Sequence, residues 1–101
     1  MGTTILTRQN LAADSPTVVT VGVASGVVLA RDGTRRGAIF VNTSPNRISF
    51  GIGVAAVLGS GITIYGNGGT WQMDEHSFTT DIINAIASAA GSTLAVQVFS
   101  A

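Results

Sequence analysis

The chain has no cysteine and no lysine, only two prolines, and charged side chains at just 10% of its 101 residues. Each shortage excludes something. Without cysteine there can be no disulfide and no thiolate metal site, and the redox compartment leaves no mark. Without lysine and with a formal net charge of zero, nucleic-acid binding loses its main source of affinity, which is cations on phosphates. Long hydrophobic runs are missing too. The greasiest stretch, residues 21–30, is interrupted by Gly22 and Gly26 and falls far short of the ~20 apolar residues of a spanning helix. The first fifteen residues hold no apolar h-region, so no secretory leader is expected. Leu6 stands where a myristoylation motif wants Ser or Thr.

What is present is apolar: 46% of the residues are hydrophobic. A charge content this low, against about one quarter in ordinary soluble domains, predicts surface that needs covering. Disorder is not expected from such a composition. The length fits one domain that buries roughly two thirds of its unfolded surface.

Residues 1–16 are polar, mixed and without a clean period, which reads as an N-terminal arm with Ile5, Leu6 and Leu11 as its larger apolar side chains besides Met1. Residues 17–101 read as a single β domain. Val19, Val21 and Val23 alternate with Val18, Thr20 and Gly22, the two-residue period of a strand. Asp32-Gly33 predicts a tight hairpin with positive φ. A greasy strand follows, Ala38-Ile39-Phe40-Val41, then a turn around Pro45. Ile48, Phe50 and Ile52 alternate next. Residues 53–61 are small and glycine-spaced and read as a loop, and Gly66-Asn67-Gly68-Gly69 is the strongest turn signal. Trp71 and Met73 share one strand face, and so do Leu94, Val96 and Val98. Residues 79–90 fit either a helical face or a strand, and isoleucine content favours the strand. Short strands separated by turns predict an all-β fold, a small antiparallel β-sandwich or jelly-roll-like barrel.

Candidate chemistry is thin. Gly51-Ile52-Gly53-Val54-Ala55-Ala56 matches a dinucleotide fingerprint in letters, but no helix can follow it before Gly59. His76 lies beside Asp74 and Glu75 and lacks the further ligands a metal needs. Adjacent carboxylates in a strand point to opposite faces, so they make a poor acid–base pair. Asn42-Thr43-Ser44 is a glycosylation triplet that reads equally as turn chemistry. No catalytic, cofactor-binding or metal residue is therefore expected, and no enzyme. Arg35 and Arg36 carry two readings, protection of a strand edge or salt bridges to a partner. Trp71 and Tyr65 would form a binding platform if exposed, although the alternation favours burial of Trp71.

The order of motifs resembles a known group. An apolar strand ending VVLA leads through a short turn to RRGAIFVN. Then come NTSPNRISFGIG, GVAAVLGSGITI, GNGGTWQMDE, IINAIAS and TLAVQV. Over about four fifths of the chain this resembles the small β-structured virion proteins of tailed bacteriophages, the capsid decoration (cement) and head-fibre type. The resemblance implies a non-enzymatic structural protein on the capsid surface, made in the host cytoplasm. It implies a homo-oligomer, often a homotrimer, that binds the major capsid protein without cofactor, nucleic acid or membrane. The partner contacts expected are Ile5, Leu6 and Leu11 on the arm, with Arg35 and Arg36 as polar anchors. The alternative is a receptor- or carbohydrate-binding sandwich of a fibre, spike or tail.

Overall fold

The structure is a computed structural model, and it describes residues 12–73 and 79–100. These residues form nine strands: β1 (Ala12–Ala13), β2 (Thr17–Val21), β3 (Gly26–Leu29), β4 (Arg35–Asn42), β5 (Ile48–Ile52), β6 (Thr63–Ile64), β7 (Thr70–Gln72), β8 (Ile83–Ala87) and β9 (Ser92–Ser100). No described residue is helical. The ambiguous segment 79–90 therefore contains strand β8, as its isoleucines and its β neighbours favour.

The strands make two antiparallel sheets. In sheet A the order is β1-β9-β4-β7, with β2 also on β9. β1 pairs with the end of β9 and β2 with its start, so the two act as one edge strand interrupted at Asp14–Pro16. Sheet B has the order β3-β8-β5-β6. Beyond β2, only β5 and β6 are consecutive strands of one sheet, and the other connections change sheets. With β1 and β2 counted as one, this is the eight-strand order of a jelly roll, two Greek keys folded face to face.

Two expectations change here. The sheet begins inside the stretch assigned to the arm, because Ala12 and Ala13 already pair with Ser100 and Phe99. Asp32-Gly33 does not close a hairpin, since it carries the chain from β3 in sheet B to β4 in sheet A. Gly33 has no positive φ. Asp32 instead accepts hydrogen bonds from the Thr34 backbone N–H at 2.9 Å and from its hydroxyl at 2.7 Å. These side-chain bonds reinforce a backbone turn in which Arg35 N–H donates to Asp32 O at 3.2 Å.

The period-2 patterns point into one shared core. Ala38, Phe40, Trp71, Met73, Leu94 and Val96 come from sheet A, and Ile48, Phe50, Ile64, Ile83, Ala85 and Ala87 from sheet B. At its centre Phe40 stacks on Trp71, with centroids 4.8 Å apart and planes at 12°. Phe50 closes on both from the other sheet, at 5.2 Å and 4.9 Å. Burying each such ring contributes about 1.5–3 kcal/mol. This cluster is what holds the sheets in register.

The glycine turn 66–69 is as the sequence predicts, with Asn67 at φ 61° and Gly68 at φ 105°. It docks on the neighbouring turn. Asn67 N–H donates to Ser44 O and Gly68 N–H to Asn42 O, each at 2.8 Å. Asn42 is fully buried. Its amide donates to Asn46 O and Ile64 O, and its oxygen accepts from the Ser44 N–H and hydroxyl at 3.0 Å and 2.7 Å. The glycosylation triplet is therefore turn chemistry, with its asparagine sealed in the fold.

Candidate functional site

The two arginines of the sequence reading part company. Arg36 is exposed, and its guanidinium donates to Gly33 O and Arg35 O, each at 3.0 Å. Arg35 is 1% exposed, so it is not available as a polar anchor for a partner. Nη1 donates to Thr79 O and Asp81 O at 3.0 Å each, and Nη2 donates to Ala30 O at 2.6 Å. A register irregularity in β4 between Arg35 and Gly37 accompanies this placement. Burial pushes the Arg35 pKa down, while Asp32 and Asp81 oppose that shift by favouring the cation. The residue ties the loop after β3 to the loop before β8 from within.

Ile5, Leu6 and Leu11 lie outside the described residues, as do Asp74, Glu75 and His76. Among the described residues no group of three His, Cys, Asp or Glu side chains could hold a metal. The fingerprint at 51–56 begins on the last two residues of β5 and runs into the loop over the outside of sheet B. A Cβ on Gly51 would meet Val54 O at 2.5 Å and Ala55 O at 2.7 Å, and Gly53 N–H is taken by Ile82 O at 2.8 Å. These glycines let backbone pack on backbone and leave no amide cradle for a phosphate.

Of the aromatic pair, Trp71 is in the core and Tyr65 is 71% exposed. No flat two-ring platform exists at this turn.

The prominent surface features are two apolar areas. The first is the outer face of sheet A, where strand register fixes its rows. Thr20 lies opposite Thr93. Val18, Ala95, Val41 and Thr70 form the next row, then Gln97, Ile39 and Gln72, then Ala13, Phe99 and Gly37. None of these carries a charge. Val18 is 67% exposed, and grooves of 160 and 280 Å³ flank Ile39. The signal for this face was in the sequence: Ile39 and Val41 are as apolar as their core-facing neighbours Ala38 and Phe40, where a half-buried strand would alternate with polar residues.

The second lies over sheet B. Loop residues 53–62 cover Ser49, whose hydroxyl accepts from Gly59 N–H at 2.9 Å, and the loop is pinned where Ala56 N–H donates to the Ser25 hydroxyl at 2.8 Å. Val54, Val57 and Val27 are left exposed on this side. An open apolar groove of 360 Å³, lined in part by Phe50, Ile52, Val57 and Ile62, runs beside the loop. Comparison with protein-family models, with curated proteins and with solved structures found no match.

Proposed function

We propose that this chain is a virion structural protein without enzymatic activity, a capsid decoration (cement) protein of a tailed bacteriophage. In this reading it binds the major capsid protein as a homo-oligomer and holds the shell against internal pressure. One observation carries the reading: the sandwich presents exposed apolar side chains on both of its outer sides, Val18 on one and Val27, Val54 and Val57 on the other. A lone soluble domain rarely shows extended apolar patches. A subunit wedged between sister copies and a shell needs two such surfaces. The jelly-roll order recurs in viral shell proteins and agrees with the motif resemblance. Arg36 remains the candidate polar anchor, with Ile5, Leu6 and Leu11 as arm contacts. Several weak contacts in one oligomer would reinforce one another through high effective concentration.

The test is to add the full chain to shells of the phage that encodes it, purified without this protein, and to count bound copies. Stoichiometric binding with a raised shell melting temperature is expected. Shells that stay bare at saturating protein would overturn the reading. A carbohydrate- or receptor-binding module is the competing reading. It needs an aromatic platform, and exposed Tyr65 is the one ring of the expected pair at hand. Glycan binding abolished by Tyr65→Ala would favour it.

A further inference from the structure

We propose that the outer face of sheet A is the surface on which two copies of this chain meet. This rests on the homo-oligomer in the functional reading above and gives that oligomer a surface.

The occupant follows from three properties of the face. The first is charge. From Thr20 to Phe99 the rows hold Val, Ile, Ala, Phe, Gly, Thr and Gln, with charge only at the margins, Arg36 at the Phe99 end and Asp14 at the β1–β2 edge among the described residues. A face without charge can meet itself, because no like charges oppose each other and no ion is buried unpaired. An oppositely charged partner would find nothing to pair with.

The second is area. The strands of sheet A hold 2, 5, 8, 3 and 9 residues, which at about 4.8 Å by 3.4 Å per residue span about 440 Å². Two copies face to face cover about 900 Å² as a flat area, and side-chain relief brings the contact to the roughly 1,000 Å² that a specific interface has to clear.

The third is shape. Among the described residues no loop crosses the middle rows of sheet A, so they present a regular sheet surface of the kind that packs on another sheet. The sheet B side is different. There the 53–62 loop makes an uneven surface with a 360 Å³ groove, which suits a projecting side chain of a different protein better than a copy of itself.

The experiment is sedimentation equilibrium of the full chain over a range of concentration, for the wild type, Val18→Glu, Val41→Glu and the control Val57→Glu. Val18 is largely exposed, so Val18→Glu leaves the core intact. Circular dichroism and urea midpoints confirm the fold of each variant. A reversible oligomer is expected for the wild type and for Val57→Glu. Val18→Glu and Val41→Glu should each weaken it about a hundredfold or more, because each buries a carboxylate without a partner. If Val41→Glu fails to fold, Val18→Glu decides alone. A wild type that stays monomeric at every concentration overturns the inference, as does an oligomer indifferent to Val18→Glu. Shell binding is scored separately. A monomer that decorates shells through Val18 and Val41 overturns the homotypic contact and leaves the virion reading standing. An oligomer that uses this face but ignores shells does the reverse.

Discussion

Replacing Arg35 by methionine should destabilise the domain by about 3–4 kcal/mol. The magnitude comes from three carbonyls. Thr79 O, Asp81 O and Ala30 O each accept from the guanidinium, at 3.0, 3.0 and 2.6 Å. A hydrogen bond from a charged donor contributes about 1.5–3 kcal/mol, and an orphaned buried acceptor costs about 1–3 kcal/mol. Simple addition overshoots, because the loops lie near solvent and water can replace some of these bonds. Methionine keeps most of the aliphatic stem, so lost packing stays small. Arg35→Lys keeps the charge but cannot fork to two loops, and a loss of about 1–2 kcal/mol is expected. The assay is urea unfolding followed by Trp71 fluorescence, a reporter in the core beside Phe40. Against a total stability of about 5–15 kcal/mol the methionine variant should unfold at a visibly lower midpoint. A loss under about 1 kcal/mol would refute the account of Arg35 as an internal strut. Equal losses for Lys and Met would refute the role given to the fork.

Gly69→Ala should cost about 2–3 kcal/mol, since its Cβ would collide with the Tyr65 carbonyl oxygen; Gly33→Ala, with nothing within 4 Å, should be neutral or slightly stabilising, and thermal melts of the pair check both. The Asp32 carboxyl is held below its ordinary pKa by the Thr34 hydroxyl and then the Thr34 N–H. Its contribution is therefore fully present above the ordinary carboxylate range and disappears as pH falls through the lowered value. Asp32→Asn should flatten that part of the acid limb in a pH series of urea midpoints, and an unchanged limb would count against the turn. Association through the sheet A face should hold or tighten as sulfate concentration rises, whereas a contact made through Arg36 should weaken with added sodium chloride; sedimentation in each salt separates them.

The strands were legible and their partners were not. Alternation identified β5 and β9, and Gly66–Gly69 announced its own turn. Asp32-Gly33 was misread because the same residues serve a hairpin and a change of sheet; only the contacts of Asp32 with Thr34 and of Arg35 with residues 79–81 distinguish them. The Arg35 contacts join residues more than forty apart, so local pattern cannot carry them. Arg35 and Arg36 are adjacent and chemically identical, yet one is interior and one exposed, because the irregularity in β4 turns the first inward. Ser49 reads as the polar side of a strand, but the 53–62 loop folds over it and makes it fully buried. The arm residues Ile5, Leu6 and Leu11 lie outside the described residues, so their proposed contacts rest on sequence and resemblance.

The scarcity of charge becomes more pointed once the charges are located. Arg31, Asp32, Arg35, Arg36 and Asp81 gather where the β3–β4 connection meets residues 79–82, joined by the bonds of Arg35 and by Asp32 N–H to Thr80 O at 3.0 Å. Chain connectivity forces this, because that connection and the loop before β8 leave the same end of the sandwich. Among the described residues only Asp14 and Arg47 carry charge elsewhere, so most of the described charge sits at one end of the sandwich. A monomer kept soluble by its surface would scatter its charges across both sheets. Clustering them at one end leaves the flanks free for contacts that no desolvated ion would penalise. The same arrangement explains why Arg35 can be interior at all: two carboxylates and three carbonyls at that end compensate a cation that neither broad face could hold.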